Sequence, residues 1–105
     1  MHYIMDILEL SDEIYRLQKK RVSELGSELT PELVFMHLSE EIGEIARQLV
    51  NKNLKMRKYN HDNLVEEITQ SMLDLLVLSK IYDIDLPVEV RKKIEEMKNR
   101  PKKEH

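Results

Sequence analysis

The chain has 105 residues, 41% hydrophobic and 35% charged, with a formal charge of −3 and no cysteine. That length supports one domain, and the missing thiols exclude disulfides, thiolate metal centres and cysteine nucleophiles. The negative balance gives no general attraction to nucleic acid or acidic membranes, and no segment reaches the ~18 consecutive apolar residues of a bilayer span.

Met1-His2-Tyr3 leads into Asp6 without a basic region ahead of an apolar one, so no signal peptide is expected and the cytoplasm is the expected location. Two glycines, three prolines and 5% aromatics favour helix over sheet. The first helix is predicted from about Tyr3 to Leu25. Ile4, Ile7, Leu8, Ile14, Tyr15, Leu17, Val22 and Leu25 recur there at three- and four-residue steps, the period of an amphipathic helix. Gly26 follows, where a left-handed cap is cheap.

Thr30-Pro31-Glu32 combines a capping hydroxyl, a proline whose missing N–H is harmless and an acid at the positive end of the dipole. It predicts a second helix to about Val50 with a stripe of Phe35, Leu38, Ile42, Ile45 and Leu49. Residues 51–61 form a polar connection carrying Lys52, Lys55, Arg57 and Lys58. Asn63 with Glu66 three positions later has the form of a capping box, predicting a third helix to about Tyr82 with His61 outside it. Asp85-Leu86-Pro87 predicts a fourth helix to about Asn99, and residues 101–105 form a charged tail. The expectation is a single domain over residues 1–100, an all-α antiparallel bundle of about four helices. A domain this small buries only about 65% of its unfolded surface, so association with a second copy would help it.

The carboxylates carry the chemistry. At 100° per residue, His37, Glu41, Glu44 and Gln48 fall within roughly 60° of one another and border the apolar stripe. Glu40 lies further round, towards solvent. On the next helix Glu67, Gln70 and Asp74 share a similar band beside Leu64, Ile68, Leu75 and Leu78. Asp74 sits within Met72-Leu73-Asp74-Leu75-Leu76-Val77-Leu78, a run expected to be buried on most of its circumference. An ionised acid there costs several kcal/mol unless a metal, a basic side chain or a raised pKa compensates it. Oxygen donors from facing helices, with no thiolate, suit Mg²⁺, with Mn²⁺ as a substitute. The plainer reading of each band is a charged face beside a core, and of His37 a hydrogen-bonded boundary histidine.

With Glu40-Glu41-Ile42-Gly43-Glu44 on one helix and Leu64-Val65-Glu66-Glu67-Ile68 opening the next, the chain resembles the MazG-like all-α nucleoside triphosphate pyrophosphohydrolases. The likeness covers about Thr30 to Arg100, including Ile84-Asp85-Leu86 after the third helix. One position departs: Gln70 stands where the family has an aspartate three residues after the glutamate that matches Glu67. Asp74 lies one turn further on the same face, about 10 Å along the axis from Glu67, where it could hold a second ion or a lysine. The resemblance implies a MazG-like bundle completed as a homodimer or dimer of dimers. It also implies Mg²⁺-dependent cleavage of a nucleoside triphosphate between the α and β phosphates, giving a nucleoside monophosphate and pyrophosphate. In that scheme Glu41, Glu44 and Glu67 are metal ligands, with Gln70 and Asp74 as supplementary ones. Glu40 and Glu41 are the candidates for orienting or deprotonating the water. Lys52, Lys55, Arg57, Lys58, Lys93 and Arg100 are candidate phosphate contacts.

Three alternatives stay open at this level. One is a phosphoribosyl-ATP pyrophosphatase on a related bundle. Another is a catalytically weakened nucleotide-binding or oligomerisation module, motivated by Gln70. A di-iron carboxylate bundle fits poorly, because His37 precedes its glutamates, the reverse of the usual Glu-x-x-His order. Dispersed basic residues without interleaved aromatics argue against nucleic-acid partners, and a membrane partner is not expected.

Overall fold

Cap chemistry decides where each helix begins. The computed structural model describes residues 6–55 and 58–101, and every regular element among them is helical. The elements are α1 (Ile7–Glu24), α2 (Pro31–Asn53), α3 (His61–Ile81) and α4 (Leu86–Lys98). Asp6 Oδ1 accepts from the Leu8 N–H at 2.8 Å, Thr30 Oγ1 from the Leu33 N–H at 3.1 Å, and Asp85 Oδ1 from the Val88 N–H at 3.4 Å. Each satisfies one of the free donors that every helix start leaves. Tyr3 and Ile4, expected to open the first helix, lie outside the described residues.

The start of α3 differs from the expectation. Asn60, not Asn63, is the cap: its Oδ1 accepts from the Asn63 N–H at 3.1 Å. The Asn60 N–H in turn donates to Gln48 Oε1 of α2 at 2.8 Å. This tertiary bond fixes the entry to α3 one turn early and brings His61 inside the helix. The α2 helix also runs past Val50 to Asn53 before the chain turns at Lys55 with φ 54°, so the basic connection is shorter than predicted. At the end of α1, Gly26 takes the expected left-handed conformation (φ 80°), and the Ser27 N–H donates back to the Val22 carbonyl at 3.0 Å.

The α3 helix is central. Both α1 and α2 pack on it, while α4 packs on α1. Small residues line these contacts. Ser11 of α1 and Ser71 and Ser79 of α3 are buried, and each turns its hydroxyl onto a carbonyl of its own helix. Lys80 Nζ lies 2.6 Å from Asp12 Oδ1 and ties α3 to α1. The buried apolar core is small: Val34, Leu38, Leu76 and Val77.

The apolar stripe predicted on α2 is largely on the outside, and of the one predicted on α3 Leu64 and Leu78 are half-buried while Ile68 and Leu75 are exposed. Of the α2 stripe, Leu38 is buried and Ile45 half-buried, whereas Phe35, Ile42 and Leu49 are exposed. The inward row of α2 is Val34, Leu38, Glu41, Ile45 and Gln48. On α3, Glu67, Gln70, Asp74, Val77 and Ile81 are buried or half-buried, and Val65, Ile68, Met72 and Leu75 are exposed. The apolar run around Asp74 is therefore not buried all round. The polar bands of α2 and α3 lie between the helices, and the apolar sides are left without cover by this chain. Among the described residues no helix is long and apolar enough to cross a membrane.

Candidate functional site

Asp74 is completely buried, and the chain supplies three polar partners for it. Gln18 Nε2 of α1 donates to its Oδ1 at 3.1 Å, and Gln70 Nε2, one turn earlier on α3, donates to the same oxygen at 3.0 Å. His37 Nδ1 of α2 donates to Oδ2 at 2.7 Å. One carboxylate thus ties three helices together, and no lysine is needed to satisfy it. Such charge-assisted bonds are what a buried acid requires. His37 is the hydrogen-bonded boundary histidine of the plainer reading, and its Nε2 lies 3.6 Å from Glu41 Oε1. Gln18 was missed by sequence reasoning. It stands 56 residues before Asp74, and nothing local marks a glutamine as the partner of a distant acid.

Glu67 presents the opposite situation. The residue is half-buried, but its Oε1 is sealed from solvent and has no hydrogen-bond partner. Burial pushes its pKa above the usual 4.5, and the nearby charges of Glu44, Glu41 and Glu66 push it further. Glu41 is half-buried, and Glu40 and Glu44 are exposed. In this conformation no three His, Asp or Glu side chains among the described residues are grouped tightly enough to hold a metal ion. The carboxylates are neighbours rather than a closed cluster.

The predicted basic contacts divide by place. Lys52 lies over the Tyr59 ring, 5.3 Å from its centroid, and Lys55 and Lys58 are exposed in the connection between the carboxylate helices. Arg57 lies outside the described residues. Lys93 is paired with Glu96 at 3.3 Å on α4, and Arg100 follows that helix, on the side of the molecule built by α1 and α4.

Beside the Asp74 network is a cavity of about 530 Å³ between α1 and α2. Ile14, Leu17, Leu33 and Val34 give it apolar walls, and its polar lining is Gln18, Arg21, His37 and Gln70. Its size and lining are those of a small-molecule site.

Comparison with protein-family models, curated proteins and solved structures gave no match. What the site can do must follow from its own chemistry. Glu67 offers an unpartnered, sealed carboxylate oxygen, whose burial and acidic neighbours favour binding a proton or a cation. Asp74 differs, because its oxygens are already committed to protein donors.

Proposed function

We propose that this protein is a Mg²⁺-dependent nucleoside triphosphate pyrophosphohydrolase, releasing pyrophosphate and a nucleoside monophosphate. The observation that carries the reading is Glu67, whose Oε1 is buried without a partner while Glu44 and Glu41 press on it electrostatically. A fold that leaves such a group unsatisfied holds it at a cost that a cation would relieve. Glu41, Glu44 and Glu67 would hold the ion, while Gln70 is committed through its amide to Asp74. A bound Mg²⁺ supplies neutralisation and polarisation of the phosphate chain.

The chain's own side chains do the rest. Glu40, exposed beside Glu41 on α2, orients and deprotonates the attacking water. Lys52, Lys55 and Lys58 offer cations to the phosphates as they leave the carboxylate helices. Asp74 and its three donors hold α1, α2 and α3 in register, which fixes where Glu41 and Glu67 stand. The exposed apolar sides of α2 and α3 are covered in this reading by a second copy of the chain, giving a homodimer.

A second reading has one specific observation in its favour. Gln70 spends its amide on Asp74 instead of offering a charge to the Glu67 site, which suits a nucleotide-binding module without turnover. One experiment separates the two. Purified protein is incubated with each nucleoside triphosphate, and with phosphoribosyl-ATP, with and without Mg²⁺, and pyrophosphate is measured. Mg²⁺-dependent release that falls at least about a hundredfold in both Glu41→Gln and Glu67→Gln supports hydrolysis. Tight nucleotide binding with no pyrophosphate supports the module, and turnover of phosphoribosyl-ATP alone moves the substrate assignment to that compound.

A further inference from the structure

The cavity between α1 and α2 ends on two glutamine side chains whose orientation is not free. Both Gln18 and Gln70 give their amide nitrogens to Asp74 Oδ1, at 3.1 and 3.0 Å. A carboxylate only accepts hydrogen bonds, so turning either amide over would aim its carbonyl oxygen at a completely buried anion. Each glutamine therefore keeps its Oε1 directed away from Asp74. Both residues line the cavity. Neither Oε1 is sealed from solvent and unpartnered in the way Glu67 Oε1 is, and neither has a protein donor among the described residues. Beside His37 and Arg21, which also line the cavity, a ligand group that meets either glutamine therefore meets an acceptor.

We propose that this cavity selects nucleotides whose base carries an exocyclic amino group, cytosine and adenine, over the oxo counterparts uracil and hypoxanthine. The inference rests on the nucleotide reading above and deepens it. An amino group has two N–H bonds and can donate to both Gln18 and Gln70, while Ile14, Leu17, Leu33 and Val34 pack against the ring faces. A carbonyl in the same place meets two acceptors that cannot rotate to greet it. Discrimination of this kind is strong, because the wrong ligand leaves buried polar groups unpaired. The cavity also adjoins the carboxylates: His37, at its polar end, lies 3.6 Å from Glu41. Asp74 acts as a positioning residue, setting the polarity of both glutamines without touching the base.

The test uses matched pairs in which the exocyclic group changes from amino to oxo and the adjoining ring nitrogen from acceptor to donor. kcat/KM is measured for CTP against UTP and for ATP against ITP, and binding of CMP, UMP, AMP and IMP is measured by calorimetry without metal. The expected result is a preference of at least about tenfold for the amino member of each pair, in turnover and in binding. In Gln18→Met, which keeps the side chain's length and removes the carbonyl, the ratio falls several-fold towards one, a change that loss of stability alone would not produce. Hydrolysis of both members at equal rates overturns this inference and leaves the pyrophosphohydrolase reading intact. Selective binding of CMP and AMP without any turnover of triphosphates does the reverse. Preference for the oxo member, or no nucleotide binding at all, overturns the cavity assignment outright, and the wild-type pairs decide this even if the variant fails to fold.

Discussion

Glu67 and Asp74 lie two turns apart on α3 and meet burial in opposite ways. Asp74 has three protein donors, whereas Glu67 has an oxygen with none and a pKa raised by burial and by Glu44, Glu41 and Glu66. The sign of the linkage follows. A carboxyl whose folded pKa exceeds its unfolded value binds more protons in the native state across the interval between them, so stability falls as pH rises through that interval. The window opens at about 4.5 and closes above the raised folded value. Urea midpoints taken without metal from about pH 4 to about pH 8 should therefore fall more steeply in the wild type than in Glu67→Gln. The variant should be the more stable of the two at neutral pH. Mg²⁺ should narrow that gap by stabilising the wild type, since a ligand that binds only the native state adds to its stability. Parallel pH profiles, or equal Mg²⁺ responses, would count against Glu67 as the group that needs the cation. At this scale the sequence revealed which acids were anomalous. Asp74 stood out by its apolar surroundings, and Glu67 by a polar band on the helix that follows the one carrying Glu41 and Glu44. It did not reveal how the anomaly is resolved, because Gln18 reaches Asp74 across 56 positions and only the packing of α1 on α3 brings them together.

Among elements, local chemistry was legible and tertiary chemistry was not. Thr30-Pro31 and Asp85-Leu86-Pro87 mark their helices correctly because a cap is decided within four residues. Gly26 marks the end of α1 for the same kind of reason. The start of α3 offered two asparagines three apart, and the Gln48 carbonyl chose Asn60 by accepting its N–H. The two positions therefore differ in what their side chains do. Asn60→Ala removes the bond to the Asn63 N–H and should cost about 1 kcal/mol, seen as a fall in Tm of about 4–8 °C. Asn63→Ala alters an exposed side chain in the first turn and should stay within about 0.5 kcal/mol. Equal losses at both sites would restore the capping box that the sequence suggested. The same logic explains the faces of α2 and α3. Periodicity finds the apolar and polar bands, yet which band turns inward depends on the neighbours, and here α1 and α2 take the side of α3 that carries Gln70 and Asp74.

For the molecule as a whole, size and surface disagree with a compact single chain. The radius of gyration is 17.2 Å, against about 13 Å for a compact domain of this length. The accessible surface is 9068 Å², against about 6,200 Å² for a folded monomer of this mass. The excess is large enough to supply the roughly 800 Å² per partner that a stable interface buries. Its chemistry also fits. Ile42 and Leu49 on α2 and Ile68 and Leu75 on α3 repeat at seven-residue steps and are each about half exposed, the spacing of a seam between packed helices. On a monomer such positions are surface, and a charged substitution should shift stability by no more than about 0.5 kcal/mol. Under a second copy they become core, and burying an unpaired charge there costs several kcal/mol. Ile68→Glu and Leu75→Glu should therefore convert a dimer to monomer by light scattering. Both should also lower Tm and abolish its dependence on protein concentration. Exposed Glu24→Ala, on α1 away from these stripes, serves as the control and should change neither quantity. A wild type that runs as a monomer at every concentration, with Ile68→Glu as stable as the parent, would leave the outward stripes of α2 and α3 without a partner of their own kind.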